Sequence, residues 1–384
     1  MNGCGTGKTA DIQNPYSLTG DNSSVSNQFF ARNLCVTNDI NFGTDQVHAD
    51  YAEGAGVFDL TTKEVLYSQN LFEKLYPAST TKILTAYIII RNCDLDDKVT
   101  VSADAIANMA DSSKCGLAAG DVLTVRDLLY GLLLVSGNDA ANVLAEYYSG
   151  SIDKFAEEMN REAKALGATQ SHFVNANGLP DPNHYTSAHD MALIMQECIK
   201  NETFCRIESD LTYTIQPTNM TSTPRDLQNH HALLFQDGQW GYKGAFAGKT
   251  GYTDEAHNTL VTAAKRGNMT LVCVVLTCDN LDYINDTRTI LDFGYDNFTH
   301  YTLKNAKKES LSGVVTLPKN AKIETATYTD PDGASVEEPY TRQYFFDDHF
   351  IGTAEVSAPC TVSDSSSAVS YTHLRAHETC ADLV

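Results

Sequence analysis

The sequence predicts a mixed α/β (α+β) fold in which one sheet is assembled from distant segments with helices packed on it, followed by a small β-rich domain. Three observations carry this. Short apolar runs separated by turn residues occur near residues 54–68 and again near 260–278. Between them lies a long, mostly helical middle. Beyond Tyr301 the pattern changes to short alternating strands and turns. Strands at both ends of a helical middle must pair with each other, which leaves the helices to cover the sheet.

Taken in order, residues 1–48 are rich in Asn, Ser, Thr, Asp and Gly without periodicity and read as a polar tether. The start, Met1-Asn2-Gly3-Cys4-Gly5, resembles what remains of a lipoprotein signal once its apolar part is lost. A folded domain is expected over 49–300. Runs 54–59 and 64–68 flank Thr61-Thr62-Lys63 as a hairpin. Pro77-Ala78-Ser79 leads into residues 82–90, apolar on nearly all sides, which predicts a helix at the centre of the domain. Positions 103–200 read as mostly helical, broken by a Gly-, Pro- and Asn-rich loop at 175–187. Runs 260–264 and 269–278 flank Lys265-Arg266-Gly267-Asn268 as a second hairpin, and 282–298 reads as an amphipathic helix. Residues 301–368 form the expected small β-domain, with strands at 312–317 and 322–328 and a turn at Asp330-Pro331-Asp332-Gly333. The last stretch, 369–384, matches none of this and reads as a non-native tail, so His373, His377 and Cys380 are given no metal role.

Composition removes several functions. With 27 basic against 49 acidic residues the net charge is −22, which repels nucleic acid, and no basic patch offsets it. Ten scattered cysteines without a C-x-x-C pair do not form a disulfide scaffold, and Cys273 and Cys278 in an apolar run read as buried small hydrophobes. No stretch reaches the ~20 apolar residues that span a bilayer. His184 and His189 lack metal-ligand spacing, so no metal and no cofactor are expected.

Three short motifs carry chemistry: Ser79-Thr80-Thr81-Lys82, Ser136-Gly137-Asn138 and Lys249-Thr250-Gly251. Singly they are weak, since Ser151-Ile152-Asp153-Lys154 and Ser68-Gln69-Asn70 repeat the first two. Context separates them. Ser79 opens the buried helix, and Lys82, three residues on, lies on the same face. An amine at the positive end of a helix in an apolar surround has a depressed pKa, and a neutral amine can activate a serine hydroxyl. Ser136 and Asn138 fall at a junction between helices, where a hydroxyl and an amide can project into a cleft. Lys249 and Thr250, beside glycines that permit close backbone approach, suit a carboxylate.

The combination resembles the penicillin-recognising serine hydrolases, and in detail the low-molecular-mass penicillin-binding proteins, the serine-type D-alanyl-D-alanine carboxypeptidases. Thr124-Val125-Arg126-Asp127-Leu128-Leu129 running into Ser136-Gly137-Asn138-Asp139-Ala140-Ala141 is similar to them, as are Phe173-Val174-Asn175-Ala176-Asn177-Gly178-Leu179 and His184-Tyr185-Thr186-Ser187-Ala188-His189-Asp190-Met191-Ala192. The chain departs from the family at Glu255-Ala256-His257-Asn258, after the third motif, and at Asn229-His230-His231 before it.

The resemblance implies a β-lactamase/transpeptidase-like antiparallel sheet with helices on both faces and a helical subdomain. It implies Ser79 as the acylated nucleophile, Lys82 as its base, and Ser136 and Asn138 as the rest of the proton network. Lys249 and Thr250 would hold the substrate carboxylate beside Gly251, and the amides of Ser79 and Tyr252 would form the oxyanion hole. The implied substrate is the peptidoglycan stem peptide, with β-lactam antibiotics as covalent inhibitors, outside the cytoplasm at the cell wall or the outer face of the cytoplasmic membrane. Anchoring through a lost N-terminal lipid or a missing C-terminal helix stays open. The alternatives are a D,D-endopeptidase, a class A-like β-lactamase, and a non-catalytic penicillin sensor. The β-lactamase would need an E-x-x-L-N loop, and none occurs between Asn138 and Lys249.

Overall fold

A computed structural model of the chain describes residues 43–358, apart from 108, 110, 111, 280, 281 and 306–308. The tether expected over 1–48 lies outside the described residues up to position 42, and the tail at 369–384 lies wholly outside them.

The first apolar runs form β1 (Ala52–Asp59) and β2 (Glu64–Gln69), an antiparallel hairpin. A 3-10 turn, Ala78–Thr81, then feeds α1 (Lys82–Asn92), buried continuously from Lys82 to Ile89. A helix without a polar side has no place at a surface; accordingly α1 is the hub of the helical part. The short hairpin β3 (Lys98–Thr100) and β4 (Val122–Thr124) precedes α2 (Val125–Leu133). Thr124 and Asp127 start α2 with a reciprocal capping box, Asp127 N donating to Thr124 Oγ1 at 2.9 Å and Thr124 N to Asp127 Oδ2 at 3.0 Å. Next come α3 (Asn138–Ser149), α4 (Ile152–Ala165), α5 (Ala188–Cys198) and α6 (Glu202–Ser209), then the hairpin β5 (Thr212–Ile215) and β6 (Arg225–Gln228). The strands β7 (Ala245–Thr253), β8 (His257–Arg266) and β9 (Met269–Cys278) lead to α7 (Asp282–Asn297).

All pairs in the main sheet are antiparallel, in the order β2-β1-β9-β8-β7. The first strands of the domain are thus neighbours of the last, as the sequence expects. Period-two alternation sends Val57 and Cys273 to the α7 face and Phe58, Val272 and Val274 to the face covered by the helices that follow β2. Both faces are buried, which is why 269–278 reads as an almost unbroken apolar run.

One expectation fails: the described residues of 103–121 are loop and turn, not helix, and the next helix is α2. Part of this loop is pinned from α3, where the buried Asp139 carboxylate accepts the amides of Cys115 (3.0 Å), Gly116 (2.9 Å) and Leu117 (3.0 Å).

A second antiparallel sheet follows, ordered β10 (Phe298–Thr302), β11 (Ser310–Pro318), β14 (His349–Ser357), β13 (Tyr340–Phe346) and β12 (Thr327–Thr329). The strand expected over 322–328 is instead a 3-10 turn, Ile323–Thr325, and the three-residue β12. It is an edge strand whose residues are all exposed, so no buried face enforces a longer one. Val315, Leu317, Ile351 and Ala354 make a small core, and the two sheets meet at Asp59, whose Oδ2 takes Thr316 Oγ1 (2.9 Å) and His300 Nε2 (2.6 Å). Fold class is therefore as expected: mixed α/β, with helices on both faces of an antiparallel sheet and β-rich structure after it.

Candidate active site

A cleft of about 510 Å³ opens between β7 and the corner joining α2 to α3. Its wall includes Ser79, Ser136, Asn138, Thr250, Gly251 and Tyr252, and all three motifs meet there. Lys82 and Lys249 are not on the wall; both are fully buried just behind it.

Ser79 stands in the 3-10 turn at the entrance of α1, and its position is set by β7. A Cβ on Gly251 would fall 2.7 Å from Ser79 N and 2.4 Å from Thr259 Oγ1, so only glycine lets the strand run against the serine. Thr259 on β8 donates to Pro77 O at 3.0 Å, tying the turn to the sheet. From the other side Gly178 (φ +88°) presses on Ala78 O, where a Cβ would approach within 1.8 Å. Ala78 (φ 48°) and Ser136 (φ 59°) hold left-handed backbone without being glycine, strain of a kind that clusters at working sites.

Lys82 Nζ lies 2.9 Å from Ser79 Oγ, 2.6 Å from Asn138 Oδ1 and 2.5 Å from Asn177 O. Burial, and secondly the Lys249 ammonium, hold its pKa well below the ordinary lysine value. A neutral amine has two N–H donors and one lone pair. The two carbonyl oxygens occupy the donors, which leaves the lone pair facing the Ser79 hydroxyl. The arrangement can remove the hydroxyl proton. Ser136 Oγ is buried on the cleft wall without a hydrogen-bond partner among the described residues, so its hydroxyl can both give and receive a proton there.

Lys249 presents a different environment. Its Nζ donates to Thr250 O at 2.8 Å. Behind it, on α6, sits the buried Glu208, whose Oε2 takes the Gly248 amide at 3.4 Å and whose Oε1 has no partner. Burial pushes the glutamate pKa up and the lysine pKa down, and each charge opposes the other's shift. Thr250 and Gly251 face the cleft in front of this pair, and Tyr252, 60% exposed, stands at the rim with its Oη 3.1 Å from Asp254 Oδ1.

The look-alike motifs are spent on structure. Ser151 caps α4, accepting the Lys154 amide at 3.2 Å, and Ser68 lies within β2. His184 is also structural: Nδ1 accepts Val174 N (3.1 Å), which puts the proton on Nε2 facing Thr81 Oγ1 at 2.8 Å. Cys273 and Cys278 are buried free thiols.

Sequence reasoning gave no role to Asn177, although it quoted the segment containing it. The contact with Lys82 is made by a main-chain oxygen, which leaves no trace in residue identity. Glu208 was missed altogether. It lies on an amphipathic helix whose pattern does not distinguish an inward glutamate from a surface one.

The family model described as D-alanyl-D-alanine carboxypeptidase matches residues 42–280. A D-alanyl-D-alanine carboxypeptidase of Bacillus subtilis is 36% identical over 261 residues, 66% of this chain and 65% of that protein. One from Mycobacterium tuberculosis is 36% identical over 62% of this chain and 80% of its own length. One from Escherichia coli is 33% identical over 63% of each. The chain thus spans somewhat under two thirds of two of these relatives. Among solved structures, penicillin binding protein 5 from Haemophilus influenzae aligns with TM-score 0.68 at 26% identity, covering 80% of this chain and 96% of that one. A variant of the DD-transpeptidase of Streptomyces K15 aligns with TM-score 0.60 at 32% identity, covering 64% of this chain and 98% of that one.

Proposed function

We propose that this chain, which belongs to the D-alanyl-D-alanine carboxypeptidase family, is a serine hydrolase that removes the terminal D-alanine from peptidoglycan stem peptides. The observation that carries the reading is the Lys82 amine, its pKa pulled well below the ordinary lysine value by burial and its Nζ 2.9 Å from Ser79 Oγ.

Lys82 takes the Ser79 proton as Oγ attacks the carbonyl of the penultimate residue. The oxyanion is received by the amides of Ser79 and Tyr252, each worth about 3–4 kcal/mol in the transition state. The close approach of β7 to Ser79 N supports this pairing. The proton then passes from Lys82, with Ser136 in relay, to the nitrogen of the departing D-alanine, and the C–N bond breaks. Asn138 orients both Lys82 and the substrate amide. Water, deprotonated by the same amine, cleaves the Ser79 ester and completes the cycle.

Thr250 and Gly251 meet the substrate's terminal carboxylate directly, while Lys249 attracts it across the strand through Thr250. A penicillin would follow the same first half and remain as a stable acyl-enzyme. Peptidoglycan lies outside the cytoplasm, so the enzyme acts there. Among the described residues no helix is long and apolar enough to cross a membrane.

The test is mass spectrometry of a pentapeptide ending in D-Ala-D-Ala after incubation with the enzyme. Loss of one alanine, abolished in Ser79→Ala together with fluorescent penicillin labelling, is expected. Labelling of Ser79→Ala at the wild-type rate overturns the nucleophile. Cleavage of cross-linked dimers with the pentapeptide untouched makes the protein an endopeptidase, and rapid decay of the penicillin label makes it a β-lactamase.

A further inference from the structure

We propose that a second cavity, toward the opposite ends of the main-sheet strands from the catalytic cleft, binds a phosphate-bearing ligand with a short apolar tail. The cavity measures about 560 Å³, within the usual range for small-molecule sites of ~300–1,000 Å³. It shares no lining residue with the cleft. Phe246 on β7 forms part of its wall, four residues before Thr250, which at ~3.3 Å per residue puts the two about 13 Å apart along the strand.

Three lysines line the cavity from three separate elements: Lys63 from the β1–β2 turn, Lys200 from the turn after α5, and Lys265 from the end of β8. No carboxylate is among the described residues that line it, in a chain whose net charge is −22. Lys200 also touches Glu197, and Glu197 and Asp59 are the carboxylates whose charge reaches Lys63. They do not neutralise the group: burial and the neighbouring Lys200 ammonium still bring the Lys63 pKa down to about 8. Lys63 also holds left-handed backbone (φ 67°), and its Nζ donates to Gln196 Oε1 at 3.3 Å. A part-buried lysine whose charge is opposed by a second lysine lining the same cavity is an arrangement an entering anion would relieve.

The chemistry selects among anions. A carboxylate is best met by the planar fork of an arginine, and no arginine lines the cavity. Lysines on three separate elements can meet the spread oxygens of a phosphate from different directions. Leu60, Ile199 and Phe246 supply apolar wall, so the group should carry a hydrocarbon portion. A lipid headgroup and a soluble alkyl or glycerol phosphate ester share this chemistry.

The experiment titrates the full chain by calorimetry with hexyl phosphate, inorganic phosphate and hexyltrimethylammonium. Saturable binding of hexyl phosphate is expected, with inorganic phosphate weaker and the cation silent. Lys200→Gln, at a half-exposed position that leaves the fold intact, should weaken binding about three- to five-fold, and Lys63→Gln with Lys200→Gln about ten-fold or more. Hexyl phosphate that fails to saturate, or that binds Lys200→Gln and the double variant as tightly as the parent, overturns the proposal. Co-sedimentation with phosphatidylglycerol vesicles, lost in the double variant, identifies a lipid headgroup. Hexyl phosphate binding without vesicle binding identifies a soluble ester.

Discussion

Lys82 and Lys249 are both sealed from water within one site, yet their surroundings differ in kind. Lys82 is met by a hydroxyl and two neutral carbonyl oxygens, and the Asp139 carboxylate raises its pKa only in third place, after burial and Lys249 have lowered it. Lys249 has the buried Glu208 directly behind it. Burial penalises either charge, but only Lys249 has a compensating anion close by. On the proposed mechanism, the same side chain serves as a proton acceptor at one position and as a source of positive field at the other. Being buried does not decide what a lysine does; the charge of its neighbours does.

The largest effect that would test this contrast comes from Lys82→Met. Loss of a general base costs about 10²–10⁴-fold in rate, so acylation by penicillin should fall by at least that much. Melting temperature should hold or rise, because a desolvated amine gives way to an apolar chain. Acylation within ten-fold of the parent would show that another group takes the proton.

Lys249→Met should act on binding instead. Loss of its positive field, which reaches the carboxylate without a direct hydrogen bond, should cost about ten-fold or more in kcat/KM for a peptide with a free C-terminus, roughly 1.4 kcal/mol. The same peptide amidated at its C-terminus should lose far less. Removing the Lys249 ammonium also takes away a charge that depresses Lys82. Lys82 would then stay protonated to higher pH, and the acid limb of acylation should move upward. Equal losses on both peptides would place Lys249 in the proton network. Pairing the change with Glu208→Gln avoids leaving a buried carboxylate without its cation.

A smaller effect is expected of Glu208→Gln alone. The carboxylate raises the Lys249 pKa, so its removal should let Lys249 lose its proton at lower pH. The deficit in kcat/KM on free-carboxylate peptides should therefore widen as pH rises, up to about ten-fold. A deficit constant with pH would mean that Glu208 acts through packing.

The smallest effect is one of stability. His184 beside Lys82 is held neutral with its pKa near 4, and His231 near Lys249 with its pKa at about 3. Burial is the first cause in both cases. Below the ordinary histidine pKa of about 6.5 the unfolded chain takes up protons that the folded chain refuses. Stability should thus be full above pH 6.5 and decline as pH falls toward 4, with the His231 contribution declining on to about 3. His231→Asn should flatten the lower part of that decline, and an unchanged profile would remove His231 as its source.

Much of the site was legible because its chemistry depends on residue type at short spacing. Ser79 and Lys82 share a helical face by arithmetic, and an apolar helix without a polar side must lie at the centre. What misled the reading at 103–121 and 322–328 was tertiary. The first segment is held as loop partly by a single carboxylate from α3, and the second lies at a sheet edge where nothing buried enforces a register. Short pairs such as β3–β4 and β5–β6 are too brief to leave a period.

The sequence by itself determined the sheet-and-helix class, the central helix and the three motifs, because periodicity and composition record which faces avoid water. Only the tertiary structure decided that a main-chain oxygen of Asn177 would join Asn138 on Lys82, and that Glu208 would stand behind Lys249. It also decided that Thr250 rather than Lys249 would face the cleft. These depend on charges brought together from segments far apart in the chain, and a pKa is set by what surrounds a group in space.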